Sequence, residues 1–133
     1  MQLHHVGIAT EDLDALADLY AALLAAPVAH EETVEGTRVA FLESNGSYLE
    51  LLEPAGVADA EERGVIGTFL EEQGPSVHHV AFETNDVETT LSYARELGVE
   101  LVDEEPRPGA WGHDVAFLHP ESTGGVLIEL VQK

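Results

Sequence analysis

Two histidines and two glutamates recur at matching places in this chain, and together they form a plausible metal-binding set. The stretch Leu-His-His-Val-Gly-Ile-Ala-Thr at residues 3–10 returns as Val-His-His-Val-Ala-Phe-Glu-Thr at residues 77–84, an offset of 74. A second pair follows: Tyr-Leu-Glu-Leu-Leu-Glu at residues 48–53, and Val-Leu-Ile-Glu-Leu-Val at residues 126–131. Each half thus opens on a strand-like segment bearing a His and closes on one bearing a Glu. The alignment of the two copies pairs His5 with His79, and Glu50 with Glu129. Two imidazoles and two carboxylates with open positions suit Mn, Fe, Co, Ni or Zn, and suit Ca poorly. A divalent cation so held would polarise a substrate oxygen.

Each candidate has a plainer reading beside the chemical one. Taken alone, a strand histidine is more often a satisfied structural residue. The duplication reverses that weighting, because both copies keep it while most neighbours differ. Strand alternation places His5 with Gly7 and Ala9, small residues that leave room for a ligand, and His4 with Val6 and Ile8. His4 and His78 therefore read as packing residues or as supports for the ligands. A single Glu in an alternating strand would point at water, but Glu50 and Glu129 have aliphatic residues on both sides. An unpaired carboxylate there costs several kcal/mol or neutralises, and a cation removes the difficulty. His113 lies in a loop that could cover a ligand or equally be solvated. His119 reads as part of a turn and His30 as surface. The chain shows no Gly-rich phosphate loop at a strand–helix junction, no nucleophile elbow and no HExxH motif.

The elements that must position these residues follow from periodicity. The strand at residues 3–9 leads to Thr10, a candidate cap, and to a helical stripe of Leu13, Leu16, Ala17, Tyr20, Leu23 and Leu24 that runs to about Ala26. Pro27 ends it. Residues 28–35 and 37–43 read as strands around Gly36, and Asn45-Gly46 as a turn before the strand at 47–53. Residues 55–75 connect the halves and carry a short helix near 65–72. The second half repeats the order: a strand at 77–84, a capping-box-like start at Asn85 and Glu88, and a helical stripe of Val87, Leu91, Tyr93, Ala94 and Leu97. Strands at 99–103, 114–118 and 126–131 complete it, with a loop at 104–112. The expected fold is α+β: two tandem β-α-β-β-β modules, at about 1–54 and 76–133, forming a curved mixed sheet around a metal-containing cleft. At 133 residues the expectation is one domain spanning 1–133.

Composition limits the partners. Twenty-six acidic residues face five basic ones, for a net charge of −21, which repels nucleic acid and anionic membranes. The acids are interspersed among periodic apolar positions, so the composition reads as a folded protein with an acidic, halophilic-type surface rather than a disordered tail. There is no cysteine, so disulfides and thiolate ligands are excluded. Apolar runs fall far short of the ~20 residues that cross a bilayer. Met1-Gln2-Leu3 leads straight into strand pattern without the marks of a signal peptide, and a cytoplasmic address is expected.

These motifs resemble the vicinal-oxygen-chelate (glyoxalase/bleomycin-resistance/dioxygenase) superfamily, and within it the methylmalonyl-CoA epimerases. The resemblance covers nearly the whole chain: the two His-His-Val segments, Tyr-Leu-Glu-Leu-Leu-Glu-Pro at 48–54, Glu-Pro-Arg-Pro-Gly-Ala-Trp-Gly-His at 105–113, and Phe-Leu-His-Pro followed by Gly-Gly-Val-Leu-Ile-Glu-Leu at 117–130. The His and Glu pattern marks the superfamily, while the connecting helix and the last motif point to the epimerases. The resemblance implies metal ligands His5, His79 and Glu129, with Glu50 at the fourth position, cobalt as the associated metal, and a homodimer. It implies an acyl-CoA thioester substrate whose C2 proton is removed and returned through a metal-stabilised enolate. Glu129 is then ligand and one acid/base, and Glu50 the leading candidate for the other face. Some members carry a catalytic Glu where this chain has Val39. Arg38 or Arg107 could contact the polyanionic CoA. The alternatives are a lactoylglutathione lyase or another metal-dependent enzyme of the superfamily, or a non-catalytic small-molecule-binding protein on this fold.

Overall fold

A computed structural model describes residues 1–55 and 63–133. The elements are β1 (Gln2–Ala9), α1 (Leu13–Leu23), β2 (Val28–Val34), β3 (Thr37–Ser44), β4 (Ser47–Pro54), α2 (Gly64–Gln73), β5 (Ser76–Glu83), α3 (Val87–Glu96), β6 (Arg107–Pro108), β7 (Asp114–Leu118) and β8 (Ile128–Gln132). The β-α-β-β-β order therefore occurs twice, as expected for an α+β fold, with α2 in the connection. Residues 56–62 of that connection lie outside the described residues. The contacts divide the chain into two units, Val6–His78 and Met1–His5 with His79–Lys133, so the cuts fall inside β1 and β5.

In the unit Val6–His78 the strand order is β2-β3-β4-β1, with β2, β3 and β4 antiparallel. Asn45 and Gly46, both at positive φ, form the β3–β4 turn that the Asn-Gly pair announces. One face of β3 and β4 packs Ala40, Leu42 and Leu51 against Leu13 and Ala17 of α1, with Ile8 of β1 beside them. Period-two alternation then sends Glu50 and Leu52 to the opposite face, away from the helix. The helix starts later and stops earlier than its periodicity suggests. Asp12, not Thr10, caps it by accepting from the Ala15 N–H, and Thr10 Oγ1 instead accepts from the Asp12 N–H. Leu24 is its C-cap rather than Ala26, and Leu23 and Leu24 are exposed. Ala25, at φ 51, takes the chain out of the helix before Pro27.

In the other unit the strand order is β5-β8-β7-β6. It is mixed: β5 runs parallel to β8, while β7 is antiparallel to both β8 and β6. Leu118, Ala116 and Leu130 face Val87, Leu91 and Ala94 of α3. The opposite face carries Ala81, Val115 and Val131. Alternation puts His79 with Ala81, Glu129 with Val131, and Phe117 with Val115 on that helix-free face. Asp86, not Asn85, caps α3 through the Thr89 N–H. Tyr93 and Leu97 from the expected stripe are exposed.

The strand expected at 99–103 does not form. Leu101 makes one isolated bridge to Leu118, and the Asp103 carboxylate accepts the Phe117 N–H at 2.8 Å, so a side chain takes a place that a ladder would need. The second strand of the module is instead the two-residue β6, inside the expected loop. Among the described residues no helix is long and apolar enough to cross a membrane.

Candidate metal centre

Glu129 sits in β8 directly between Ala81 of β5 and Phe117 of β7. His79 stands two residues before Ala81 and so shares its face, and His5 belongs to the same unit through the first half of β1. These three side chains converge. The Glu129 Oε1 lies 2.9 Å from His5 Nε2 and 3.2 Å from His79 Nε2, and the two imidazole nitrogens are 3.0 Å apart. All three residues are buried. The Phe117 ring meets His79 edge-on, with centroids 5.7 Å apart, and forms an apolar wall beside it.

This triangle fits a divalent cation. Three donor atoms crowd together, yet Glu129 Oε1 has no hydrogen bond of acceptable geometry among the described residues, although both imidazoles stand within ion-pair distance. The lone pairs of these three donors can converge on one cation. His5, His79 and Glu129 stand close enough together to hold one divalent cation between them, and three protein donors would leave positions open for further ligands. Burial alone would raise the Glu129 pKa, but the facing His5 and His79 imidazoles outweigh it and hold the carboxyl below its ordinary value. The residue is therefore anionic at neutral pH, as a ligand must be.

Glu50 belongs to the other unit. It is buried in β4 opposite Phe41 of β3, on the face turned from α1. Val39 is buried there too, paired with Leu52. Arg38 is engaged by Asp14 and Glu53, at 2.9 and 3.1 Å. In the unit that holds the triangle, Arg107 bonds Asp103 at 3.1 Å and lies over the Phe117 ring. His78 packs its ring edge on Phe69 in the unit Val6–His78. His30 approaches Glu32 at 3.2 Å. His119 opens a 3-10 turn, its Nδ1 accepting the Glu121 N–H. It also lies near Glu100 and Glu121, but its Nδ1 is already engaged and both glutamates are exposed.

The residue underweighted by sequence is His4. Strand alternation suggested that His4 and His5 face opposite ways, yet both are buried and their Nδ1 atoms are 2.7 Å apart. Nδ1 is the ring nitrogen nearest the backbone, so neighbouring rings can meet along a strand through that atom. Burial, with the charges of His5, His113 and Lys133, pushes His4 down from 6.5 to about 4. His113 lies edge-on to His4 at 5.5 Å and stacks on Trp111 at 5.9 Å. Burial lowers its pKa as well, helped by Lys133. The loop residue thus lies one ring removed from His5. The only hint in the sequence was the Trp-Gly-His string, where Trp111 adopts φ 61 and Gly112 φ 71 to turn the chain.

The profile described as the glyoxalase/bleomycin resistance protein/dioxygenase superfamily matches residues 4–117. The chain belongs to that superfamily. Within it, the chain is 36% identical to an ethylmalonyl-CoA/methylmalonyl-CoA epimerase of Cereibacter sphaeroides, over 98% of this chain and 97% of that protein. A Bacillus subtilis protein without an assigned function is 37% identical, over 98% of this chain and 91% of its own. Among solved structures, a variant of Streptomyces coelicolor methylmalonyl-CoA epimerase in complex with 2-nitronate-propionyl-CoA superposes with a TM-score of 0.89. It is 39% identical and covers 100% of this chain and 94% of its own. The superfamily match supports the glyoxalase-like fold that the resemblance implies, and the donor set supports a divalent metal site.

Proposed function

We propose that this chain is an isomerase that epimerises methylmalonyl-CoA at C2, acting as one catalytic domain. The observation that carries the reading is the buried His5–His79–Glu129 triangle on a chain that counts epimerases of that thioester among its relatives. Physically, the C2–H bond lies between a thioester carbonyl and a carboxylate, so its proton is acidified by both. A divalent cation held by His5, His79 and Glu129 supplies Lewis acidity to an oxygen that gains charge as the proton leaves.

The chain's own residues do the rest. Glu129, anionic at neutral pH, is both ligand and proton acceptor, and a carboxylate within hydrogen-bond reach contributes general-base catalysis. Inversion needs a proton returned from the other face, and Glu50 is assigned that role. Glu50 is buried opposite Phe41 on the same face as Leu52, which keeps its carboxyl out of bulk water. With Val39 apolar, the catalytic Glu that some members carry at that position is absent from this chain. Arg38, paired with Asp14 and Glu53, and Arg107, paired with Asp103 and lying over the Phe117 ring, are the candidate contacts for CoA. Cobalt as the resident metal, a homodimer, a salt-adapted surface and a cytoplasmic address complete the proposal.

The reading is tested by presenting one epimer of methylmalonyl-CoA to metal-loaded protein and following the ratio of epimers. Conversion that chelation abolishes and a divalent cation restores is expected. Glu50→Gln should slow conversion by about 10²–10⁴-fold, the range for loss of a general acid or base. A metal-loaded, folded protein that leaves the epimer ratio unchanged overturns the epimerase in favour of the lactoylglutathione lyase, whose reaction also removes a proton beside a carbonyl.

A further inference from the structure

The two nitrogens of His5 have divided surroundings. Its Nε2 faces the triangle, 2.9 Å from Glu129 Oε1 and 3.0 Å from His79 Nε2. Its Nδ1 meets His4 Nδ1 at 2.7 Å in a buried contact. A neutral imidazole carries one ring proton and can donate from only one nitrogen. If Nε2 is to offer a lone pair to a cation, the proton of His5 must stand on Nδ1. The atom placed to accept it is His4 Nδ1, and His4 then carries its own proton on Nε2.

We propose that His4 is a positioning residue for the metal centre: by accepting the Nδ1 proton of His5, it holds that ring in the tautomer whose Nε2 lone pair faces His79 and Glu129. The inference rests on the reading of His5, His79 and Glu129 as metal ligands. Groups that receive the second ring nitrogen of a ligating histidine fix its orientation and raise its basicity. The peculiarity here is that the partner is the preceding residue on the same strand, so one dipeptide supplies both ligand and support. His4 is held in turn from outside. Its ring stands edge-on to His5 at an interplanar angle of 77° and edge-on to His113 at 88°. His113 is backed by the Trp111 ring, at centroids 5.9 Å apart and an angle of 28°. The loop between β6 and β7 therefore sets His4, and His4 sets His5. His4 touches no reacting atom in this account; it acts through the ligand.

The test compares wild type, His4→Leu and His4→Asn. Asparagine keeps an acceptor near the position of Nδ1, whereas leucine keeps bulk and removes it. Cobalt affinity is measured by competition with a chromophoric chelator, and each metal-free variant is checked for its unfolding transition. His4→Leu should bind cobalt about 10–100-fold more weakly, the usual loss when such a support is removed. His4→Asn should recover most of that loss. In the cobalt-loaded proteins, the metal-shifted ring N–H proton of His5 should exchange slowly with solvent in wild type and in His4→Asn. It should exchange faster in His4→Leu. Equal cobalt affinity in wild type and a folded His4→Leu overturns the role of His4. So does His4→Asn binding as weakly as His4→Leu. A wild-type protein that takes up no cation overturns the metal centre itself, and with it the role of His4.

Discussion

Replacing His4 by asparagine should flatten the acid side of the stability curve of the metal-free protein. His4 is 2% exposed, and its pKa falls from 6.5 to about 4 in the folded state. A depressed value means that the unfolded chain binds the proton more readily than the native one. The stabilisation is therefore complete above about pH 6.5 and is lost as pH falls through the folded value near 4. By about pH 4.5 the shift amounts to roughly 2.5 kcal/mol lost relative to neutral pH. With a urea slope of about 1–2 kcal/mol/M for a chain of this size, that corresponds to a midpoint lower by roughly 1.3–2.5 M. The assay is urea unfolding of chelator-treated wild type and His4→Asn at neutral pH and near pH 4.5. Groups that do not touch His4 titrate alike in both proteins, so their contributions cancel in the difference. A steep fall in wild type beside a shallower one in the variant is the expected result. Parallel falls would refute the reasoning, because His4 would then be as easily protonated in the native state as in the unfolded chain.

Other perturbations separate the framework from the site. Leu91 is 1% exposed in the α3 core, and Leu91→Ala should cost about 2–5 kcal/mol in chemical unfolding. At Gly109 an added Cβ would stand 2.7 and 2.8 Å from the two methyl groups of Val115. Gly109→Ala should therefore destabilise by about 1–3 kcal/mol and alter the fluorescence of Trp111, the single tryptophan, two residues on. A net charge of −21 should make thermal stability rise between about 0.1 and 1 M sodium chloride, as the screening length shrinks from about 10 to 3 Å. An unchanged midpoint across that range would mean that repulsion among the acidic groups is already neutralised locally.

Much of this architecture was legible because the chain repeats. The offset between His5 and His79 identified the module, and alternation in Ile-Glu-Leu at 128–130 made Glu129 face away from α3. Asn45-Gly46 announced its turn through backbone demands that few other residues meet. Legibility failed where side chains competed with the backbone. Asp103 takes the Phe117 N–H and breaks the strand that Val99–Asp103 would have formed, and Asp12 and Asp86 displace the expected caps. It failed again at His4, since alternation describes where a Cβ points but not how far a ring bends along the strand. The position of His113 beside His4 depends on the left-handed turn at Trp111 and Gly112, which periodicity does not encode.

The central claim is that a cation held by His5, His79 and Glu129 enables proton removal at C2 of methylmalonyl-CoA. The most direct measurement is deuterium uptake at C2 from D₂O, in high salt, comparing metal-stripped, cobalt-loaded and Glu129→Gln proteins. The account predicts exchange with epimerisation in the cobalt-loaded protein, and none in the other two. Absence of exchange in a folded protein shown to hold cobalt would contradict it, as would undiminished exchange in the metal-stripped protein or in Glu129→Gln.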